Sequence, residues 1–198
     1  MNFKLSIIMN KLLTAIAMAV CVSLTACAQK KAEGGAQPHK VLVAYFSATG
    51  TTARAAETVA RVTGGDLLAI ESAEAYTAAD LDWNDDTSRS TREMKDASAR
   101  PALKATDKDL SAYDVVFVGY PIWWGEAPRV VNTFVEAHDL KGKRLVPFAT
   151  SGGSGVGESV EALRKAYPGL TWEDGRLLNG AAEADVRSWT ESVLTAKQ

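Results

Sequence analysis

The chain has 198 residues, with 22 Lys and Arg against 24 Asp and Glu, a formal charge of −2 and 46% apolar residues. This size and balance suit one globular domain, and exclude a disordered chain, a collagen-like repeat and a multi-span membrane protein. A near-neutral charge offers no basic face for nucleic acid, and two cysteines are too few for the usual structural zinc site or a disulfide scaffold.

The apolar residues are unevenly spread. Residues 12–26, LLTAIAMAVCVSLTA, carry no charge and follow Lys4 and Lys11. A positive start, a short apolar run and small residues at its end describe a secretory signal. Its 15 residues fall short of the roughly 20 that a spanning helix needs. Leu24-Thr25-Ala26-Cys27 follows, and it resembles the lipobox of bacterial lipoproteins. That resemblance implies cleavage before Cys27 and lipid on its thiol; an ordinary signal peptide with an incidental Cys is the alternative. Met9-Asn10-Lys11 would also start a compact signal.

Three segments are therefore expected: a signal peptide over 1–26, a lipidated Cys and flexible tether over 27–40, and one domain over 41–198. Loss of Lys4 and Lys11 takes the formal charge from −2 to −4. The domain itself contains no thiol. The tether, with Gly34-Gly35 near its middle, reaches roughly 20 Å as a coil and about 45 Å at full stretch. The expected location is the bacterial cell envelope, on the membrane through Cys27.

Residues 41–46, VLVAYF, form a continuous apolar run, as in a strand buried on both faces. Ala53, Ala56, Val59, Ala60 and Val62 then follow helical spacing over 52–63. Leu67 to Ile70 reads as a second strand after a Gly64-Gly65 turn. Residues 72–110 are polar and too long for a plain loop. An irregular excursion with one or two short helical turns, anchored by Trp83, is expected there. VVFVG at 115–119 repeats the buried-strand pattern. A helix over 128–137 carries Val130, Val131, Phe134 and Val135 on one side. RLVPFA at 144–149 reads as a strand that Pro147 weakens. Val160, Leu163 and Tyr167 mark another helix. A weak strand at 170–173 and a helix over 184–195 with Val186, Trp189 and Val193 close the chain. This β-α-β alternation predicts an α/β fold: a three-layer, doubly wound parallel sheet of five strands in the order 2-1-3-4-5.

In such folds ligands bind at the carboxyl ends of the strands, where three loops stand out. Ser47-Ala48-Thr49-Gly50-Thr51-Thr52 puts four hydroxyls and a glycine at a helix start. Free amides and the helix dipole favour an anion there. The loop itself has no Lys or Arg before Arg54, so it suits a monophosphate held by neutral donors; a capped Ser/Thr turn is the alternative. Pro121-Ile122-Trp123-Trp124-Gly125 offers flat aromatic faces to a flat ligand, or else plugs the sheet end. Thr150-Ser151-Gly152-Gly153-Ser154 offers amides and hydroxyls, or a flexible turn. The chain carries no Gly-Lys-Ser/Thr triphosphate loop. The third loop fails the dinucleotide spacing, because Glu158 stands where the last glycine belongs. Val156 breaks the nucleophile-elbow pattern and no histidine lies downstream.

Taken together, Ser47-x-Thr49-Gly50-x-Thr52, Gly119-Tyr120-Pro121-Ile122-Trp123-Trp124-Gly125 and Thr150-Ser151-Gly152-Gly153 resemble the flavodoxin-like family in its short-chain form. They are also similar to a branch of NAD(P)H-dependent oxidoreductases. The resemblance covers about residues 41–195. It implies flavin mononucleotide (FMN) as cofactor. Ser47, Thr49, Gly50, Thr51 and Thr52 would hold its phosphate, with Ala48 between them. Pro121 to Gly125 and Thr150 to Ser154 would flank its ring. The flavin would carry the chemistry, with no side chain as nucleophile and no metal. Three functions are compatible: an electron carrier at the membrane surface serving a redox partner protein, an NAD(P)H oxidoreductase for a small acceptor such as a quinone, and an FMN-binding lipoprotein without activity.

Overall fold

The computed structural model describes residues 39–196. The expected signal peptide, the Cys27 lipidation site and most of the tether lie outside the described residues. Strands β1 (Val41–Tyr45), β2 (Asp66–Ala69), β3 (Val115–Pro121), β4 (Arg144–Thr150) and β5 (Thr171–Trp172) are all parallel, in the order β2-β1-β3-β4-β5. The predicted architecture is therefore the observed one. One short strand was not expected: β6 (Arg176–Leu177) also pairs with β4.

The helices are α1 (Thr51–Thr63), α2 (Arg89–Lys95), α3 (Arg129–Ala137), α4 (Gly157–Ala166) and α5 (Glu183–Thr195). Alternate side chains of each strand serve opposite faces. Val41, Val43, Val115, Phe117, Val146 and Phe148 pack with Ala56 and Val59 of α1 and with Val186 and Trp189 of α5. Leu42, Ala44, Val116, Val118 and Leu145 pack with Val130, Val131 and Phe134 of α3 and Leu163 of α4. Both sets being apolar explains the unbroken hydrophobic runs in the sequence. Gly119 lies opposite Phe148. A Cβ there would sit 2.2 Å from the Phe148 ring, so a glycine is needed for β3 and β4 to approach. Among the described residues no helix is long and apolar enough to cross a membrane.

Pro147 sits within β4 after all. Leu145 accepts from Glu173 and Ala149 from Leu178, on the side of β5 and β6. Strand alternation turns the nitrogen of Pro147 to that same side. It falls between the two short pairings, Leu145 with Trp172 and Phe148 with Arg176. The missing N–H therefore costs no ladder bond.

The 72–110 excursion contains a 3₁₀ turn (Ala79–Leu81) and α2. Its base is closed by Ser72 and Leu103, an antiparallel bridge flanked by Ala73 N–H to Ala102 O (2.7 Å) and Lys104 N–H to Glu71 O (2.9 Å). Trp83 is not its anchor, because that side chain is 73% exposed. Tyr76 takes the role. Its ring meets Phe46 and Trp123 in T-shaped contacts at 5.5 and 5.4 Å. The Arg89 guanidinium covers it at 4.1 Å and also binds Glu93, the Glu74 carbonyl and Ser72. An aromatic core partner with a satisfied hydroxyl outcompetes a lone indole at this position.

Candidate functional site

Where β1 ends, Gly50 adopts φ +85° and starts α1. The Ser47 hydroxyl accepts the Gly50 N–H at 3.1 Å and so closes the loop on itself. No side chain caps the helix. The first-turn amides of α1 thus point out of the sheet end with no capping oxygen, and the helix dipole makes that spot attractive to an anion. Thr49 and Thr51 are exposed beside it, and Arg54 reaches back to the Thr51 hydroxyl at 3.4 Å. Thr52 is different. It is buried, and its hydroxyl shares a 2.8 Å hydrogen bond with the Thr150 hydroxyl at the end of β4. Its side chain therefore joins two loops, while its amide remains part of the helix start.

Beyond β3, Ile122 N–H binds the Thr150 carbonyl at 2.9 Å. Trp123 and Glu126 then exchange two backbone hydrogen bonds of 3.0 Å around Trp124 and Gly125. The central pair has φ +46° and +81°. Two positive φ values inside a two-residue hairpin are the type I′ pattern, which favours Asn-Gly or Gly-Gly. A tryptophan in the first position is strained, and backbone strain of this kind is concentrated at functional sites. The two indoles behave differently. Trp123 is held in T-shaped contacts with Phe46 at 5.6 Å and with Tyr76. Trp124 is 51% exposed.

After β4, the Ser151 hydroxyl accepts the amides of Gly153 (3.1 Å) and Ser154 (2.8 Å). Asn179 grips Ser151 from outside, taking its N–H at 2.9 Å and donating to its carbonyl. Asn179 was missed from the sequence; the Asn179-Gly180 turn signal was its only trace.

One cavity of about 400 Å3 brings these loops together. Ala48, Thr49, Thr52, Pro121, Ile122, Trp123, Trp124 and Thr150 line it. Ser47, Gly50 and Thr51 belong to the loop at its border, and Gly125 to the hairpin. Ser151, Gly152, Gly153 and Ser154 continue from Thr150 and do not line the cavity itself. Three further lining residues, Leu81, Trp83 and Ser90, come from the excursion. None of the lining side chains is charged. The cavity suits a flat, largely apolar ring, with an anionic group directed to the start of α1.

The walls are braced from behind. Arg129, with 10% of its side chain exposed, donates to Glu126 at 2.7 Å and to the Met94 carbonyl at 3.1 Å, tying the hairpin to α2. Below the hairpin, the Tyr120 hydroxyl meets Ser159 at 3.0 Å. Burial pushes the Tyr120 phenol up to about 12. Burial, followed by the Glu93 carboxylate, also raises the Tyr76 phenol strongly. Both phenols stay neutral at ordinary pH.

Comparison with known proteins places this geometry. No curated protein matches the chain. A candidate flavoprotein from Bacteroides eggerthii is 57% identical, covers 80% of this chain and 99% of its own, and superposes with a TM-score of 0.77. One from Bacteroides uniformis is 51% identical over 78% of this chain and 99% of its own, with a TM-score of 0.75. A flavoprotein from Lactobacillus acidophilus, solved in complex with FMN, shares the fold at 20% identity, covering 77% and 99% of the two chains, with a TM-score of 0.62. The family model described as flavodoxin matches residues 40–193, and the chain belongs to that family.

Proposed function

We propose that the domain binds FMN in the 400 Å3 cavity and serves as an electron carrier at a membrane surface. One observation carries the reading: an uncapped helix start, suited to a phosphate, and a strained Trp124 hairpin, suited to a flat ring, border the same uncharged cavity. The first-turn amides from Thr51 onward and the hydroxyls of Thr49 and Thr51 hold the phosphate. Trp124 covers the ring, and Pro121, Ile122 and Thr150 flank it. Bound there, FMN supplies one- and two-electron chemistry. The protein's part is to position the ring, exclude water and leave the rim beside Trp124 open to a partner. An acidic domain favours a basic partner surface. The FMN complex of the Lactobacillus acidophilus relative agrees with this choice of ligand.

Tethering is part of the proposal. Lipid on Cys27 would hold the domain to the envelope membrane, and Cys27→Ser should release it to the soluble fraction. Purified protein should show a flavin absorbance spectrum, or acquire one with added FMN. Colourless protein that binds no FMN would overturn the cofactor. Anaerobic NADPH should leave the bound flavin oxidised for many minutes. Rapid bleaching would overturn the carrier in favour of an NAD(P)H oxidoreductase acting on a small acceptor such as a quinone. Thr49→Ala combined with Thr51→Ala should weaken FMN more than riboflavin, since only FMN carries the phosphate.

A further inference from the structure

A flat ring has two faces, and the three strand-end loops provide aromatic cover for one. Trp123 is committed to Phe46 and Tyr76, so Trp124 is the indole of the hairpin left to meet a ligand. The loop after β4, Thr150 to Gly155, has no aromatic side chain. The second flat surface at this cavity comes from elsewhere in the chain, because Trp83 of the excursion lines it too.

Trp83 has the properties of a ligand-facing ring. It is 73% exposed. Among the described residues it makes no aromatic pair and no hydrogen bond through its indole. Its backbone, in contrast, is well held. Asp82 accepts the Asn84 N–H at 3.0 Å, closing a turn around Trp83. Asp80 accepts the amide and the hydroxyl of Thr77 at 2.9 and 2.7 Å, which steadies the 3₁₀ turn just before it. On the far side, Arg129 joins α2 to the Trp124 hairpin. The turn is thus positioned while the indole stays free. Ser90, buried and without a partner for its hydroxyl, lines the same wall.

We propose that Trp83 is the second stacking surface of the site, closing on the face of a bound isoalloxazine that Trp124 leaves open. The proposal rests on the FMN reading above and adds a residue from outside the strand-end loops. Its role is positional: it holds the ring in the cleft and denies its second face to water and to flat hydride donors. Electron exchange is then confined to the rim.

The test compares wild-type, Trp83→Ala and Trp83→Phe chains, titrated with FMN, riboflavin and inorganic phosphate. Trp83→Ala should weaken FMN and riboflavin by the same factor, about tenfold, in keeping with the contribution of aromatic–base stacking. Competition by inorganic phosphate against FMN should be unchanged. Bound flavin should become more fluorescent, because a quenching indole is gone. Trp83→Phe should retain most of the affinity. The thermal midpoint of the free protein should not move, since the side chain supports no packing. A wild-type chain that ignores FMN overturns the cofactor reading and this proposal together. FMN that binds wild-type and Trp83→Ala equally tightly, with equal fluorescence, overturns this proposal alone. A fall in the thermal midpoint of Trp83→Ala that accounts for the lost affinity also overturns it.

Discussion

The Thr52–Thr150 hydrogen bond offers a sharp test of how the site is assembled. The two hydroxyls lie 2.8 Å apart, one in the first turn of α1 and the other at the end of β4. Both side chains are almost fully buried, at 1% and 5% exposure. Thr52→Val removes one partner at nearly constant shape and leaves the Thr150 hydroxyl without its bond. That should cost about 1–2 kcal/mol, the penalty for an unpaired buried polar group. Thr150→Val should cost a similar amount. The double variant leaves no orphan, so it should cost no more than either single change. The interaction energy from the cycle should then reach about 1 kcal/mol or more. Urea unfolding followed by circular dichroism measures all four proteins, provided their m values agree. Strictly additive single costs would refute the reasoning. They would mean that each hydroxyl finds solvent in the adjoining cavity, and that the first and third loops are not held together by this contact.

Other outcomes follow from single contacts. Gly119→Ala places a methyl group 2.2 Å from the Phe148 ring, and urea unfolding should show a loss of about 3 kcal/mol or more; Phe148→Leu in the same chain should restore part of it. Trp124→Asn creates the Asn-Gly pair that a type I′ turn prefers, so stability should rise by roughly 1 kcal/mol while FMN affinity falls, as read by denaturation and titration. The Tyr120 phenol is raised by burial from 10.0 to about 12. A raised native value means that its contribution to stability is complete below the ordinary tyrosine range and declines as pH climbs from 10 towards 12. Alkaline unfolding should therefore be shallower in Tyr120→Phe than in wild type, and an unchanged slope would contradict this.

The legible parts of the fold were those set by periodicity. Runs such as VVFVG read as strands covered on both sides, and their alternation with helical spacing favoured the sheet order that is observed. β6 was not legible, because a two-residue strand has no periodicity of its own and forms only where β4 leaves ladder groups free beside Pro147. The site was legible where backbone chemistry decides it: Gly50 opening a helix, and adjacent tryptophans at a strand end. The Thr52–Thr150 contact was not, since a hydroxyl that binds a ligand and one that binds another loop look alike until residue 150 is brought beside it. Trp83 was misjudged for a related reason. In a long polar segment an isolated tryptophan suggests an anchor, yet Tyr76 has the nearer aromatic partners, and Arg89 covers its ring from thirteen residues further along the chain.

The interrupted pairing beside β4 has a consequence for the molecule's solubility. A parallel sheet ends in strands whose outer N–H and C=O groups can recruit another chain. Here the central strands β3 and β4 are seven residues long, while the margin at β2 is four residues. The opposite margin consists of two pairs, β5 and β6, separated by the proline gap. Neither edge presents the long, flat row of groups that propagates intermolecular β-pairing. Pro147, which looked like a defect in a buried strand, coincides with the break that keeps one edge of the sheet from becoming a template for aggregation.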